Sequence, residues 1–435
     1  MSMRRIWAMV MRYWYLLRRS VPRIIDMVYW PAVDVVLWGF LSQFLAGNSS
    51  FIAKAGGILL AGMFLWDVMS RSQLGISVGF LEEVWSRHLG HMFVSPLRSW
   101  EWLASLMIVG PNAFSFDALS GNYHGVSSDM VTFLEGITAA AGPAMHVEYD
   151  QGCDYKDSIH FGGTWAASNC QATIAVIGLT PVMEGEEGDA FLAPHGGDRA
   201  DLGLPNAHIA YIKALRKAIG NKPLIIVITA GSAVDLTPIA PYADAILLAW
   251  YPGEQGGNAL ADILFGRISP SGHLPVTFYQ NTNDLPAYND YSLKGRTYRY
   301  YDGPVQYPFG FGLSYTNFTY RMQQAPKKTY TAKDTVSWTV SVSNDGAITG
   351  DEVVQAYIEY PSGPRMPLRE LKTFHRLKAI PPAHGVDLRM SIPVSELKKW
   401  DLATNQWKLY PGAYRILLGS NSRDEKLIGE FTVHP

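Results

Sequence analysis

The stretch ATIAVIGLTPVMEGEEGDAFLAPHGGDRADLGLP, residues 172–205, decides the fold. Its first eight residues are apolar and rich in β-branched side chains, the pattern of a strand buried on both faces of a parallel sheet. An acidic loop follows at once, carrying Glu184, Glu186 and Glu187, and then a Gly196-Gly197 break leads into Asp198 and Arg199. Ligands of open α/β sheets bind at the carboxyl ends of strands, so carboxylates just past such an end are candidates for proton transfer. The plainer reading is a solvated acidic loop, since most charge runs are only wet surface.

Working outward, NAHIAYIKALRKAIG (206–220) sets Ile209, Ile212, Leu215 and Ile219 on one helical face, with Asn206 as N-cap and Gly220 at the C-terminal end. Residues 224–229 and 245–250 read as further apolar strands, and a helix over 257–265 stops at Gly266. Alternating strands and helices predict a mostly parallel sheet covered on both faces. After about Met322 the period changes to two: Val336, Trp338, Val340 and Val342 alternate with Ser337, Thr339, Ser341 and Ser343. An Asn344-Asp345-Gly346 turn, a strand over 352–360, the alternating Leu388, Met390 and Ile392, and a strand over 414–418 complete the pattern of a β-sandwich.

Four further blocks stand out: GGDRADLGLP (196–205), AWYPGEQGGNALADILFGRISPSGHLPVTF (249–278), KGRTYRYYDG (294–303) and YPFGFGLSYTNF (307–318). Together with the acidic loop they resemble the C-terminal α/β sandwich domain of glycoside hydrolase family 3, the family of β-glucosidases, β-xylosidases and related exo-acting enzymes. The closing β-sandwich resembles the fibronectin type III-like domain found at the end of many of them. The resemblance implies an α/β domain over 108–320, a fibronectin type III-like sandwich over 321–435, and retaining hydrolysis of O-glycosyl bonds in a β-linked sugar or glycoside, with neither cofactor nor metal.

A retaining mechanism needs a nucleophilic carboxylate and a general acid/base about 5–5.5 Å apart. The family resemblance places the acid/base in the loop MEGEEGD: Glu184, followed by Gly185, fits best, and Glu186 and Glu187 are alternatives because the loop varies in length. His195, Asp198 and Arg199 are candidates to orient the loop or bind sugar hydroxyls, although an Asp198–Arg199 salt bridge is the plainer reading. The family's nucleophile is an aspartate in an N-terminal barrel, in a motif close to Ser-Asp-Trp. Neither Ser128-Asp129-Met130 nor Trp66-Asp67-Val68 carries that motif, so the chain is expected to lack the nucleophile and to need a separate barrel. Asp154, Trp165 and Tyr251 read as core or rim residues.

The first 107 residues have a different character. Eight of the 13 tryptophans fall before Gly110, and MRRIWAMVMRYWYLLRRSVPR (3–23) resembles an amphipathic interfacial helix. Candidate membrane spans run over 25–46 and 52–70, and SRHLGHMFVSPLRSWE (86–101) resembles the coupling helix of an ABC-type export permease. Residues 102–109 would begin a third span in such a permease, but Pro111, Asn112, Ser115 and Asp117 end the apolar run far short of a bilayer's thickness. No GxxxxGK[ST] phosphate loop is present, which excludes an ATPase. These features predict membrane association through residues 1–107, on a side left open, and an abrupt join without a Gly/Ser or Pro-rich linker. They keep a second reading alive, a membrane-anchored carbohydrate-binding or interaction module, or a permease fragment in a chimeric gene product. A net charge of -2 excludes a nucleic-acid surface. Cys153 and Cys170 read as two buried thiols.

Overall fold

The computed structural model describes residues 105–434 apart from 187, 189, 191, 194, 195 and 364. The interfacial helix and both candidate spans therefore lie outside the described residues.

Five strands, β1 (Ser105–Val109), β2 (His146–Asp150), β3 (Ala172–Gly178), β4 (Leu224–Thr229) and β5 (Ala245–Leu248), form one parallel sheet in the order β2-β1-β3-β4-β5. The chain moves outward from β1 to β2 on one side and returns to β3 on the other, which makes the carboxyl ends of β1 and β3 the topological switch point. In such sheets that is where ligands bind. Helices α1 (Phe133–Ala141), α2 (Thr164–Asn169), α3 (Pro181–Glu184), α4 (Asn206–Ile219) and α5 (Gly256–Leu264) accompany the sheet.

Strand alternation divides the apolar side chains between the two faces. Met107, Val109, Ala175, Ile177, Ile226 and Ile228 pack with Tyr211, Ile212 and Leu215 of α4. Leu106, Ile108, Ile174, Val176 and Val227 pack with Phe133 and Ile137 of α1 and Leu260 of α5. The two helices on this second face meet through glycine: a Cβ on Gly136 would lie 2.2 Å from the Gly257 carbonyl carbon, and one on Gly257 would lie 2.0 Å from the Thr132 carbonyl oxygen. Thr132 also opens α1 with a capping box, its hydroxyl accepting the Glu135 N–H while Glu135 accepts the Thr132 N–H. Helix α4 starts one residue from the expected place, with Pro205 as its N-cap and Asn206 already inside, and Gly220 closes it at φ 62°.

Two sequence expectations meet β1 and change. Residues 105–109 are the second strand of the sheet, paired in parallel with β2 and β3, and not the start of a membrane span. The α/β domain accordingly takes in residues 105–107, which the sequence reading gave to the preceding segment. The five-residue run SLMIV is buried from Leu106 onward. A short apolar run of this kind is the same text whether it opens a span or fills a parallel strand.

Beyond the short pair β6 (Phe278–Tyr279) and β7 (Val305–Tyr307), the chain becomes all-β. One sheet holds β8 (Phe318–Gln324), β10 (Thr335–Asn344) and β13 (Gly385–Pro393). The other holds β9 (Thr329–Tyr330), β11 (Gly350–Glu359), β12 (Glu370–Ile380), β16 (Gly412–Gly419) and β17 (Leu427–Val433). A hairpin of β14 (Lys399–Asp401) and β15 (Gln406–Lys408) stands apart. Trp338, Val340 and Val342 of β10 point inward to meet Ala356, Ile358, Ile416 and Leu418, while the intervening serines and Thr339 are half-exposed, as period two requires. The α/β and β parts are joined by polar contacts: the Gln355 amide donates to the Gly310 carbonyl at 3.1 Å, and Arg376 donates to the Ser271 carbonyl at 3.1 Å.

Candidate functional site

The acidic loop leaves the carboxyl end of β3 at the switch point, and what holds its first turn is a polar network under it. Tyr155, its phenol pushed up to about 12 by burial, stays protonated and donates to Asn112 Oδ1. That fixes the Asn112 amide, whose Nδ2 donates to Thr229 Oγ1 at 2.7 Å and to the Leu179 carbonyl at 3.4 Å. Thr229 passes its own hydrogen to the same carbonyl at 2.9 Å. The ends of β1, β3 and β4 are thereby tied together at Leu179, two residues before α3. His208, in the first turn of α4, accepts the Gly178 N–H at Nδ1, and burial drops its pKa to about 3, so the ring is neutral.

Glu184 ends α3 with its side chain only 7 % exposed. Four donors surround its two oxygens. Oε1 accepts the Gly231 N–H and the Tyr251 phenol. Oε2 accepts the Ser232 hydroxyl at 3.2 Å and the Arg199 guanidinium at 3.5 Å. These donors come from the loops after β4 and β5 and from the far end of the acidic loop, so one carboxylate joins three strand ends. Gly231 permits the approach, since a Cβ there would sit 2.9 Å from Oε1. Tyr251 follows Trp250, which leaves β5 at φ 56°, a strained setting for a bulky residue of the kind that gathers at functional sites. Burial, and then the charge of Glu184, raise the Tyr251 phenol far above its ordinary range, so it remains a donor.

The sequence argument for Glu184 rested on the resemblance of its loop to the family's acid/base loop, and the structure adds that donors surround both of its oxygens. Glu186, two residues on, is exposed. Glu187 and His195 lie outside the described residues. Arg199 pairs with Glu184 and not with its neighbour Asp198, which is exposed. Its guanidinium is held further by the Ser232 hydroxyl at 2.7 Å and by the Ala233 and Gly203 carbonyls. Tyr251 is a site residue, whereas Trp165 is 81 % exposed and Asp154 caps the turn at Lys156 and Asp157. Gly231, Ser232 and Tyr251 were not singled out as site residues, although each follows the end of a strand, the signal used for the acidic loop itself. Cys153 and Cys170 are buried free thiols. Among the described residues no group of three or more His, Cys, Asp or Glu side chains is placed to hold a metal ion.

Comparison with known proteins matches these elements. A family model described as the glycosyl hydrolase family 3 C-terminal domain covers residues 96–315, and one for a fibronectin type III-like domain covers 352–422. A xylan 1,4-beta-xylosidase of Xylanibacter ruminicola is 41% identical over 298 residues, which is 68% of this chain and 33% of that protein. A periplasmic beta-glucosidase of Salmonella typhimurium is 30% identical over 360 residues, 73% of this chain and 45% of that protein. Among solved structures, the GH3 beta-glucosidase of Bifidobacterium adolescentis superposes with a TM-score of 0.66 at 28% identity, covering 78% of this chain and 50% of its own. The chain thus spans a third to a half of the length of these relatives.

The expected membrane association is corrected by these findings. Among the described residues no helix is long and apolar enough to cross a membrane, and one matched relative is a periplasmic protein. The permease resemblance finds no support: the matched proteins are glycosidases, and the family model already begins at residue 96.

Proposed function

The chain belongs to glycosyl hydrolase family 3, and from that premise we propose that it supplies the general acid/base of a retaining, exo-acting glycosidase acting on β-xylosides, with Glu186 as the proton donor and Glu184 as the anchor that holds the loop. One observation supports the division of labour. Both oxygens of Glu184 are engaged by four donors, while Glu186 stands exposed on the same loop. A general acid must present a proton to the leaving oxygen within hydrogen-bond reach, then take one back from water. A carboxyl clasped by Gly231, Ser232, Tyr251 and Arg199 would first have to give up those bonds.

The greater identity with a xylosidase, 41% against 30% for a β-glucosidase, favours the xyloside. Arg199 and Asp198 are proposed to shape the loop and meet sugar hydroxyls respectively. The nucleophile is proposed to come from a barrel domain seated against the carboxyl edge of the sheet. Phe114, Phe116 and Ile159 are exposed in loops leaving β1 and β2 there, as an apolar face awaiting cover would be. Proton transfer alone gives about 10²–10⁴-fold of the roughly 10⁶-fold or more that an enzyme supplies, so the chain without that barrel is proposed to be inactive.

The experiment mixes the full chain with a family 3 barrel and follows nitrophenyl xyloside and nitrophenyl glucoside. Turnover is expected only with the barrel and faster for the xyloside. Glu186→Gln should lose it and regain part of it with azide, which replaces the water that a general base activates. Turnover by the chain alone, or azide rescue of Glu184→Gln in place of Glu186→Gln, would sink the reading.

A further inference from the structure

The block 294–303, KGRTYRYYDG, is not used by the acidic loop's network. It lines a cavity of about 380 Å³ where the α/β domain meets the β-sandwich. Tyr298, Tyr301 and Asp302 come from the block, and Glu359, Arg369 and Glu425 come from the sandwich. The volume lies within the range of about 300–1,000 Å³ common for small-molecule sites.

The aromatic walls are fixed before any ligand arrives. Tyr298 stacks on Phe309 with ring centroids 4.3 Å apart, and its Oη accepts the Leu371 N–H at 3.1 Å. Tyr301 stands edge-on to Tyr279 at 4.9 Å and donates to the Pro304 carbonyl at 3.1 Å. Rigid aromatic surface of this kind carries contact area at small entropic cost.

Two glutamates of the wall share two arginines, while Arg423, which also lines the cavity, donates to the Gly303 carbonyl. Arg369 reaches Glu359 at 3.5 Å and Glu425 at 3.3 Å, and donates to the Ser422 carbonyl at 2.6 Å. Arg415 takes the other oxygens of the same two glutamates, at 2.5 Å and 4.0 Å. An ionic ligand seated at Arg369, Glu359 or Glu425 would have to break one of these pairs and leave its partner uncompensated. A neutral, hydroxyl-rich ligand breaks none, because each hydroxyl can donate to a carboxylate lone pair and accept from a guanidinium N–H. Tyr298 and Tyr301 supply aromatic surface of the kind that the C–H face of a pyranose ring can pack against.

We propose that this cavity is a second sugar site, binding a neutral mono- or disaccharide unit of the β-linked substrate, built from residues other than those of the acidic loop. The choice of a xylo-sugar rests on the function proposed above.

Isothermal titration of the full chain with xylobiose tests it, with sodium sulfate as the ionic probe. Leu368 also lines the cavity and is 43 % exposed, so Leu368→Trp fills the space without touching an ion pair. Asp302→Asn keeps the shape and removes one charge. Binding is expected in the wild type, at least ~10-fold weaker in Leu368→Trp, weaker in Asp302→Asn, and indifferent to sulfate. No binding of xylobiose, binding unchanged by both substitutions, or displacement of the sugar by sulfate would overturn the proposal. Because the readout is binding by the chain itself, loss of this site with activity retained in the barrel mixture counts against the cavity alone. Binding retained without activity counts against the catalytic reading alone.

Discussion

Tyr251 and Glu184 stand 67 residues apart in the chain and share a hydrogen bond, the phenol donating to Oε1. The bond joins the end of β5 to the helical turn after β3, and the Gly231 N–H arrives at the same oxygen from the end of β4. The site therefore rests on tertiary contacts that no local pattern contains.

Glu184→Gln keeps the shape of this clasp and removes its charge. Arg199, whose side chain is 14 % exposed, then loses its carboxylate partner. Hydrogen bonds to charged groups are worth about 1.5–3 kcal/mol each, so a loss of that order is expected in denaturant unfolding. Glu186→Gln, on the exposed loop, should stay within about 0.5 kcal/mol of wild type. Equal losses for the two would remove the distinction between anchor and proton donor.

His208 gives the fold an acid sensitivity. Burial lowers its pKa to about 3 from an ordinary 6.5. Above pH 6.5 neither the folded nor the unfolded chain holds the proton, and His208 has no effect on the pH dependence. Between 6.5 and about 3 only the unfolded chain binds it, so stability falls as pH falls, by up to ~1.4 kcal/mol per pH unit. His208→Gln, which keeps an acceptor for the Gly178 N–H, should unfold with a shallower slope across that window. Parallel slopes for the two proteins would show that the ring is protonated in the folded state.

On the sheet's second face α1 and α5 meet at a contact that only glycine permits. Gly257→Ala would push a methyl group against the Thr132 carbonyl oxygen, to which the 2.0 Å approach leaves no room. Overpacking of this kind costs about 1–3 kcal/mol. Thermal unfolding should show it, and a neutral result would mean that α5 slides freely along α1.

Trp400 and Trp407 face each other across the hairpin β14–β15 with ring centroids 5.7 Å apart at 78°. Such pairs add about 0.5–1.5 kcal/mol, and a two-stranded hairpin has little else. In Trp407→Ala the amides of 399–408 should exchange faster while those of β10 keep their protection. Loss of protection in β10 as well would show that the hairpin supports the sandwich core.

These contrasts follow the limits of what the sequence could say. Helix α4 and strand β10 were legible because one periodic stripe names both the element and its buried face. The five residues of β1 were not, because a run too short for a period takes its meaning from neighbours 41 and 66 positions away, His146 and Gln171, which pair with Ser105. The acidic loop was found by the rule that strand ends carry ligands. Which carboxylate is clasped was hidden, since three of its four donors, Gly231, Ser232 and Tyr251, lie at least 47 residues downstream.

The Glu184–Arg199 pair closes the acidic segment at its base, with 14 residues between the two partners. A loop pinned at both feet can change in length and composition without transmitting the change to the strands beneath. Exchanging the segment between these residues for that of a relative should therefore leave the sheet undisturbed.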